Sequence, residues 1–442
     1  MYMNQSQAPC ACGRIHQCDL EKTVIGRGVI RVLPEELRRI GTKRVFLLAD
    51  TNTYEAAGRQ AETLLAEAGI PCSVHVFTRS SIEPDERSVG EAVMHFDNRC
   101  DLVLAVGSGV VGDISKILSR LTGAEYAIVA TAPSMDGYAS ATSSMTRGGL
   151  KISLPSRCAR VIIGDTDILK EAPMELLVSG LGDMLAKYIS IAEWRISHLI
   201  TGEYYCEAVA ELIRASLKRC VDHADGLLRR EDEAVEAVFS GLVTAGAAMA
   251  YAGISRPASG IEHYFSHLWD MRGVEFGTPT STHGIQCAVG TLLAARLYEE
   301  VLTVTPDLQK GRAYAASFDK EAWSSRLITL LGRGADDMIA LEKKEGKYDV
   351  AGHAARLSVI SENWEEITAI IRDEIPPAAE IEALLNRIGC PKTPEAWGLP
   401  AHELPTVFKA TKDIRDKYIL SRLAFDLGIL DDLADTLLKT DP

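Results

Sequence analysis

Three histidines in one stretch of the chain have the spacing that a metal site requires. His263 and His267 are four residues apart, so on a helix they lie on the same face. His283 follows a loop rich in Gly, Pro, Ser and Thr and begins a second apolar helix. Two imidazoles from separate helices provide a catalytic metal site when a carboxylate and an open coordination position complete it. The alternative is that these histidines cap helices or lie on the surface.

A carboxylate in an otherwise apolar helix supplies the missing ligand. Asp183 lies in the segment GLGDMLAKY, four residues before Lys187. Burying an unpaired carboxylate is costly, and either a metal ion or an ion pair with Lys187 removes that cost. We therefore expect one divalent ion on Asp183, His263 and His283. This ligand set accepts zinc, nickel and iron, and zinc is the ion we expect.

Small residues after an apolar strand indicate a dinucleotide site. The segment VLAVGSGVVGDISK places Gly107, Ser108 and Gly109 between a strand and a helix, where backbone N–H groups can approach a pyrophosphate. With Gly112 the spacing is G-x-G-x-x-G, although at least two strands precede it, and the alternative is a tight strand–helix turn. Asp50 ends an earlier strand, where an acid can bind ribose hydroxyls and favours NAD over NADP.

A polar loop follows the strand in YAIVATAPSMDGYAS. Thr131, Ser134 and Asp136 lie directly after the apolar run, at the carboxyl edge of the predicted sheet. Such a loop suits contacts with a nicotinamide ring and a polyol-like substrate. The alternative is a Ser/Thr-rich turn in which Asp136 caps a helix.

The order of the predicted elements indicates two domains after a short N-terminal segment. From about Thr23 strands and helices alternate, which predicts a Rossmann-like parallel sheet with helices on both faces. YAIVATAPS is expected to hold the last clear strand, and from Met174 onward nearly the whole chain reads as helix. We predict a Cys/His segment over 1–20, a dinucleotide-binding α/β domain over 21–170 and an all-helical metal- and substrate-binding domain over 171–442. The cluster Cys10, Cys12, His16 and Cys18 either closes a small zinc knuckle or forms a turn without metal.

Composition restricts the partners and the compartment. The 442 residues carry a formal net charge of −14, which argues against nucleic acid or an anionic membrane as the partner. No apolar run reaches the roughly 18 residues of a membrane span, and the N-terminus does not read as a signal peptide. The ten cysteines are mostly scattered singly, as is typical of a reducing compartment. We expect a cytoplasmic protein without membrane insertion.

Several segments together resemble one enzyme family. GSGVVGDISK, TAPSMDGYAS, GLGDMLAKY, IEHYFSHLWDM and the run HGIQCAVGTLLAARLYE look like the bacterial glycerol-1-phosphate dehydrogenases, which belong to the iron-containing alcohol dehydrogenase and dehydroquinate synthase-like superfamily. The resemblance extends from about residue 20 to 435. It implies NAD(P)H-dependent reduction of dihydroxyacetone phosphate to sn-glycerol 1-phosphate, one divalent metal ion per chain, a homodimer and a role in phospholipid metabolism.

The resemblance also assigns roles to individual residues. The metal ligands implied are Asp183, His263 and His283, with His267 near the site. The implied cofactor and nicotinamide-side residues are Gly107, Ser108, Gly109, Asp113, Thr131, Ser134 and Asp136.

The expected chemistry is hydride transfer from the nicotinamide to a ketone polarised at the metal. His267 or Asp136 is the candidate relay for the proton, and Arg256 and Lys187 are the candidate cations for the substrate phosphate. Three alternatives are a glycerol dehydrogenase-like polyol oxidoreductase, a dehydroquinate synthase-like sugar-phosphate cyclase and a non-catalytic sensor. The sequence leaves the choice between NAD and NADP open.

Overall fold

The computed structural model describes residues 9–148 and 150–438. The chain forms two compact units. The first consists of the chain up to Met184 together with Ala208–Ser255, and the second consists of Leu185–Glu207 together with the chain from Arg256 onward. The chain therefore passes between the units three times, after Met184, Glu207 and Ser255.

A six-stranded parallel sheet forms the centre of the first unit. Its strand order is β1-β8-β5-β4-β2-β3, so β4 lies between β5 and β2. The other two described strands, β6 and β7, form an antiparallel hairpin. The bounds are β1 Lys22–Gly26, β2 Val45–Asp50, β3 Cys72–Phe77, β4 Leu102–Gly107, β5 Glu125–Ala130, β6 Thr142–Arg147, β7 Leu150–Pro155 and β8 Val161–Asp165.

Both faces of this sheet are covered. In β2, Val45, Leu47 and Ala49 point into one apolar core and Phe46 and Leu48 into another, since alternate residues of a strand face opposite sides. All five side chains are buried. This confirms the predicted parallel sheet with helices on both faces.

In the first unit, helices lie between most of the strands as far as β8, and the described residues after β8 form helices and loops. Their bounds are α1 Leu33–Arg39, α2 Thr51–Thr53, α3 Arg59–Glu67, α4 Glu86–His95, α5 Gly109–Thr122, α6 Thr166–Leu169, α7 Met174–Leu185, α9 Glu207–Asp222, α10 Ala224–Leu227 and α11 Asp232–Ala252, with α8 Lys187–Thr201 between them in the second unit. Helix α11 is long and apolar enough to cross a membrane by length and composition alone. However, 72% of its apolar window is buried inside the structure, as in the core helix of a globular unit.

The described part of the second unit consists of helices and loops. Besides α8, its helices are α12 Ile261–Phe276, α13 His283–Val301, α14 Leu308–Ala316, α15 Lys320–Leu331, α16 Ala335–Glu345, α17 Val350–Glu362, α18 Trp364–Glu374, α19 Ala378–Arg387, α20 Leu404–Thr411, α21 Leu420–Leu427 and α22 Leu430–Thr436. The predicted fold class, an α/β region followed by an all-helical region, is confirmed.

YAIVATAPS, predicted to hold the last clear strand, contains most of β5, and three strands that were not predicted, β6, β7 and β8, follow it. Strand β8 begins with only three large apolar residues, Val161–Ile163, a run too short for periodicity to separate from a buried helix segment. The hairpin β6–β7 is not part of the main sheet, so its polar residues lack the apolar alternation that marks a covered strand.

The last described strand ends at Asp165, near the predicted domain boundary at residue 170, and helices follow it. The two compact units, however, are not divided at that boundary. Residues 208–255 group with the sheet even though they are helical, because α11 packs against β1.

Candidate active-site residues

The turn between β4 and α5 has the geometry of a phosphate cradle. A Cβ on Gly107 would lie 2.7 Å from Cβ of Val111, so only glycine lets the helix begin this close to the strand. The hydroxyl of Ser108 does not cap α5 but lies 3.2 Å from the hydroxyl of Tyr138 and also hydrogen-bonds to Ser134. The first turn of this 14-residue helix therefore presents its backbone N–H groups at the carboxyl edge of the sheet, where an anion is favoured.

Two carboxylates that the sequence assigned to the cofactor lie in different surroundings. Asp50 ends β2, the neighbour of β4, and its Oδ1 accepts the N–H of Thr53 at 2.8 Å, which caps α2. Asp113 accepts from Nζ of Lys116 at 3.4 Å and from the N–H of Ser144 at 3.2 Å. Burial raises the pKa of Asp113. The hydrogen bonds of the Asp113 carboxylate join α5 to β6, which favours a structural role for this side chain.

The loop after β5 is held by hydrogen bonds to α7. Thr131, Ser134 and Asp136 are all buried. The hydroxyl of Ser179 donates to the carbonyl of Ser134 at 3.0 Å, and the N–H of Asp136 donates to Oδ2 of Asp183 at 2.9 Å. The carboxylate predicted as a metal ligand is thus joined to the backbone of the loop predicted to border the nicotinamide.

Two glycines permit helices to pack directly on the backbone of this loop. A Cβ on Gly180 of α7 would lie 1.7 Å from the carbonyl oxygen of Pro133, and a Cβ on Gly246 of α11 would lie 2.7 Å from the carbonyl oxygen of Asp136. Gly180 begins the segment GLGDMLAKY, but no packing role was predicted for it or for Gly246, because nothing local distinguishes a glycine that faces a loop from one that faces solvent.

In the second unit, α12 and α13 pack closely enough to bring two histidines together. A Cβ on Gly290 of α13 would lie 2.6 Å from the carbonyl oxygen of Glu262 of α12, so glycine is required at this crossing. The rings of His263 and His283 consequently lie 5.0 Å apart between centroids. His263 is buried and His283, the first residue of α13, is half-buried.

A third potential ligand joins this pair. His263, His283 and Cys287 offer ligand atoms that lie within 4.8 Å of one another, and Sγ of Cys287 is 3.7 Å from Nε2 of His283. The ring of His267 lies 6.3 Å from that of His263 and 6.5 Å from that of His283, outside this group. Cys287 was not predicted, although its spacing of four residues from His283 was the available signal.

The carboxyl group of Glu262 orients His263. Its Oε1 lies 2.8 Å from Nδ1 of His263 and also accepts the N–H of Gly260 at 2.6 Å. When Glu262 is ionised it accepts the Nδ1 proton, which leaves the Nε2 lone pair for a metal ion. The nearby Glu193 accepts the N–H of Ile261 at 2.9 Å. Burial raises the pKa of both carboxyl groups.

The two cations predicted for the substrate phosphate have protein partners. Arg256, only 1% exposed, is ion-paired with Glu203 at 2.6 Å and donates to the carbonyl of Tyr418 at 2.9 Å. The buried ammonium of Lys187 donates to the carbonyl of Ala258 at 3.1 Å. These contacts favour structural roles, and phosphate binding by either residue stays a prediction.

Comparison with known proteins identifies the family. The model of a family described as iron-containing alcohol dehydrogenase matches residues 24–173. The chain is 32% identical over 352 residues to the glycerol-1-phosphate dehydrogenase [NAD(P)+] of Pyrococcus furiosus, a match that covers 79% of this chain and 98% of the relative. The protein of the same name from Halalkalibacterium halodurans is 33% identical over 294 residues, which are 66% of this chain and 74% of the relative.

Solved structures share the fold. A maleylacetate reductase from Rhizobium sp. strain MTP-10005 has a TM-score of 0.62 at 15% identity, covering 94% of this chain and 96% of its own. A glycerol dehydrogenase from Schizosaccharomyces pombe has a TM-score of 0.56 at 17% identity, with coverages of 96% and 93%. The structures thus agree with the sequence matches, which show that this chain belongs to the glycerol-1-phosphate dehydrogenase family, within the iron-containing alcohol dehydrogenase superfamily.

Proposed function

We propose that the protein catalyses the reversible, NAD(P)H-dependent reduction of dihydroxyacetone phosphate to sn-glycerol 1-phosphate. The observation that carries this proposal is the 32% identity over nearly the whole length of a relative with that name. The glycine turn before α5 and the pair His263 and His283 supply residues of the types that this chemistry requires.

A divalent metal ion fits the residues of the second unit. Two imidazole nitrogens lie close together, and Glu262 leaves Nε2 of one of them available. We propose Asp183 as the carboxylate ligand, because an Asp/His/His set with an open position is typical of catalytic ions. Zinc is our first choice, with nickel or iron as alternatives. Such an ion, when bound, supplies Lewis acidity toward the ketone of the substrate.

The remaining residues bind, orient and move protons. The first N–H groups of α5 bind the pyrophosphate, and Asp50 hydrogen-bonds the adenosine ribose, which favours NAD. The loop carrying Thr131 and Ser134 borders the nicotinamide. His267 or Asp136 passes a proton through water to the oxygen that becomes the product hydroxyl.

We further propose a cytoplasmic homodimer whose product enters phospholipid synthesis. The net charge of −14 and the cysteines support a reducing, aqueous compartment, since none of the ten, all within the described residues, forms a disulfide. Light scattering of the purified protein measures the number of subunits, and a mass equal to one chain contradicts the dimer.

The decisive experiment measures oxidation of NADH and NADPH with dihydroxyacetone phosphate and with dihydroxyacetone, after metal removal and after addition of each metal. We expect metal-dependent turnover that requires the phosphate and yields the sn-1 product. Faster turnover without the phosphate favours a polyol dehydrogenase, and substrate loss without net NADH oxidation favours a cyclase.

Substitution of His283 connects the activity to the metal. We expect His283→Ala to lose metal and turnover together, whereas His402→Ala, a change at an exposed histidine of the same unit, retains both. An active and metal-free His283→Ala protein refutes the proposed metal site.

A further inference from the structure

The N-terminal Cys/His segment folds into a turn that gathers three metal-binding side chains. The N–H of Gly13, with a left-handed φ of 82°, donates to the carbonyl of Cys10 at 2.8 Å, and the N–H of Cys10 donates to the carbonyl of Arg14 at 2.9 Å. As a result, Cys10, Cys12 and His16 offer ligand atoms within 4.8 Å of one another. None of these residues takes part in the proposed reaction.

His16 has the orientation of a metal ligand. Its Nδ1 lies 2.9 Å from the carbonyl oxygen of Tyr251, and since a carbonyl only accepts, Nδ1 carries the proton. In a neutral imidazole Nε2 then holds the lone pair, and it faces Sγ of Cys12 at 3.3 Å. A backbone carbonyl that fixes the distal ring nitrogen in this way is the usual support of a metal-binding histidine.

The same contacts attach the segment to the end of α11. The carbonyls of Tyr251 and Ala252 belong to the last turn of that helix, where carbonyl groups lack partners within the helix. The guanidinium of Arg14 donates to Ala252 at 3.1 Å, and His16 is only 7% exposed. Arg14 and His16 therefore attach the turn that carries the three candidate ligands to the C-terminal end of α11.

The separation of the ligand atoms fits one tetrahedral ion. Bond lengths of about 2.0 Å to nitrogen and about 2.3 Å to sulfur place the two ligand atoms about 3.5 Å apart at a tetrahedral angle. The observed distance between Cys12 and His16 is 3.3 Å. A simple thiol–imidazole hydrogen bond also fits this distance, but it does not account for the thiol of Cys10 in the same group.

We propose that Cys10, Cys12 and His16 bind a structural zinc ion, separate from the ion of the reaction, which holds the N-terminal segment against α11. These three side chains, all in the first unit, supply three of the four ligands of a structural zinc site. Cys18 lies in the same segment but outside the group, which makes it a matched control.

The test counts zinc in the purified full-length protein by mass spectrometry. We expect two zinc ions per chain in the wild type, one in Cys10→Ser/Cys12→Ser and one in His283→Ala. Cys18→Ser should retain two. The Cys10→Ser/Cys12→Ser protein should keep its KM for dihydroxyacetone phosphate but lose protection of the N-terminal segment from proteolysis. Equal zinc contents in this variant and the wild type overturn the proposal.

A second measurement applies if the double cysteine variant does not fold. In His283→Ala, X-ray absorption at the zinc edge should show one ion bound by sulfur and nitrogen, and adding Cys12→Ser should lower the number of sulfur ligands. No residual zinc, or zinc bound only by nitrogen and oxygen, overturns the site. An unchanged sulfur count overturns Cys12 as a ligand. These outcomes do not depend on turnover, so they are separate from failure of the proposed reaction.

Discussion

Gly180 is the position where α7 comes closest to the loop after β5. An added Cβ would lie 1.7 Å from the carbonyl oxygen of Pro133 and 3.1 Å from Cγ1 of Val238. Because the first neighbour is backbone, no side-chain rotation relieves the overlap. Gly180→Ala must therefore displace the loop or the helix by about 1.5 Å to restore an ordinary contact between atoms in a close-packed interior.

The expected cost follows from three terms. Replacing a helical glycine by alanine normally stabilises by about 1 kcal/mol, whereas overpacking of a buried site costs about 1–3 kcal/mol. The displacement also strains the two hydrogen bonds that hold the loop, each worth about 1 kcal/mol. One runs from the hydroxyl of Ser179 to the carbonyl of Ser134, and the other runs from the N–H of Asp136 to the carboxylate of Asp183. We expect a net loss of about 2 kcal/mol in the free energy of unfolding. A shift of about 1 Å beside reacting groups lowers kcat/KM by as much as about 100-fold.

The matched control is Gly90→Ala in α4, where no atom lies within 4 Å of the added Cβ. This change should stabilise the protein by up to about 1 kcal/mol and leave turnover unchanged. Urea unfolding measures the stability and NADH oxidation with dihydroxyacetone phosphate measures the activity. If Gly180→Ala has the stability and kcat/KM of the wild type, the close approach does not position the loop and the reasoning is wrong.

Three further predictions concern one glycine, one carboxylate and one buried lysine. Gly107→Ala places a Cβ 2.7 Å from that of Val111, so calorimetry should show NADH binding weakened at least about tenfold while metal content is unchanged. Glu262→Ala removes the group that orients His263, so metal titration should show affinity about 10–100-fold lower; unchanged affinity contradicts that role. Burial lowers the pKa of Lys347 to about 8, so above pH 8 the unfolded state binds more protons and this residue makes stability rise with pH. Between pH 8 and 9.5 the rise is about 2 kcal/mol, and urea unfolding of Lys347→Met should lack it.

Local sequence patterns predict much of the architecture. The buried strands β2, β4 and β5 are apolar runs that end at Asp50, Gly107 and Ala130, and each is followed by polar or small residues. Periodicity and residue chemistry suffice for such elements, because the preferences of a strand or a helix act over a few residues. The same is true of His263 and His283 as candidate ligands, whose types and spacing are visible without a fold.

Other features depend on contacts between distant parts of the chain. The central position of β4 and the insertion of β8 between β1 and β5 follow from strand pairing, which a short run of residues does not encode. The closeness of His283 to His263 rather than to His267, and the inclusion of Cys287, follow from how α12 and α13 cross at Gly290.

The sequence by itself thus determined the fold class, the turn before α5 and the histidines that could bind a metal. Only the tertiary structure decided which of these side chains meet and which glycines admit a neighbouring backbone. The physical reason is that propensity and hydrophobic pattern act locally, whereas the packing of a helix against a loop, as at Gly180 and Pro133, depends on atoms brought together from separate segments.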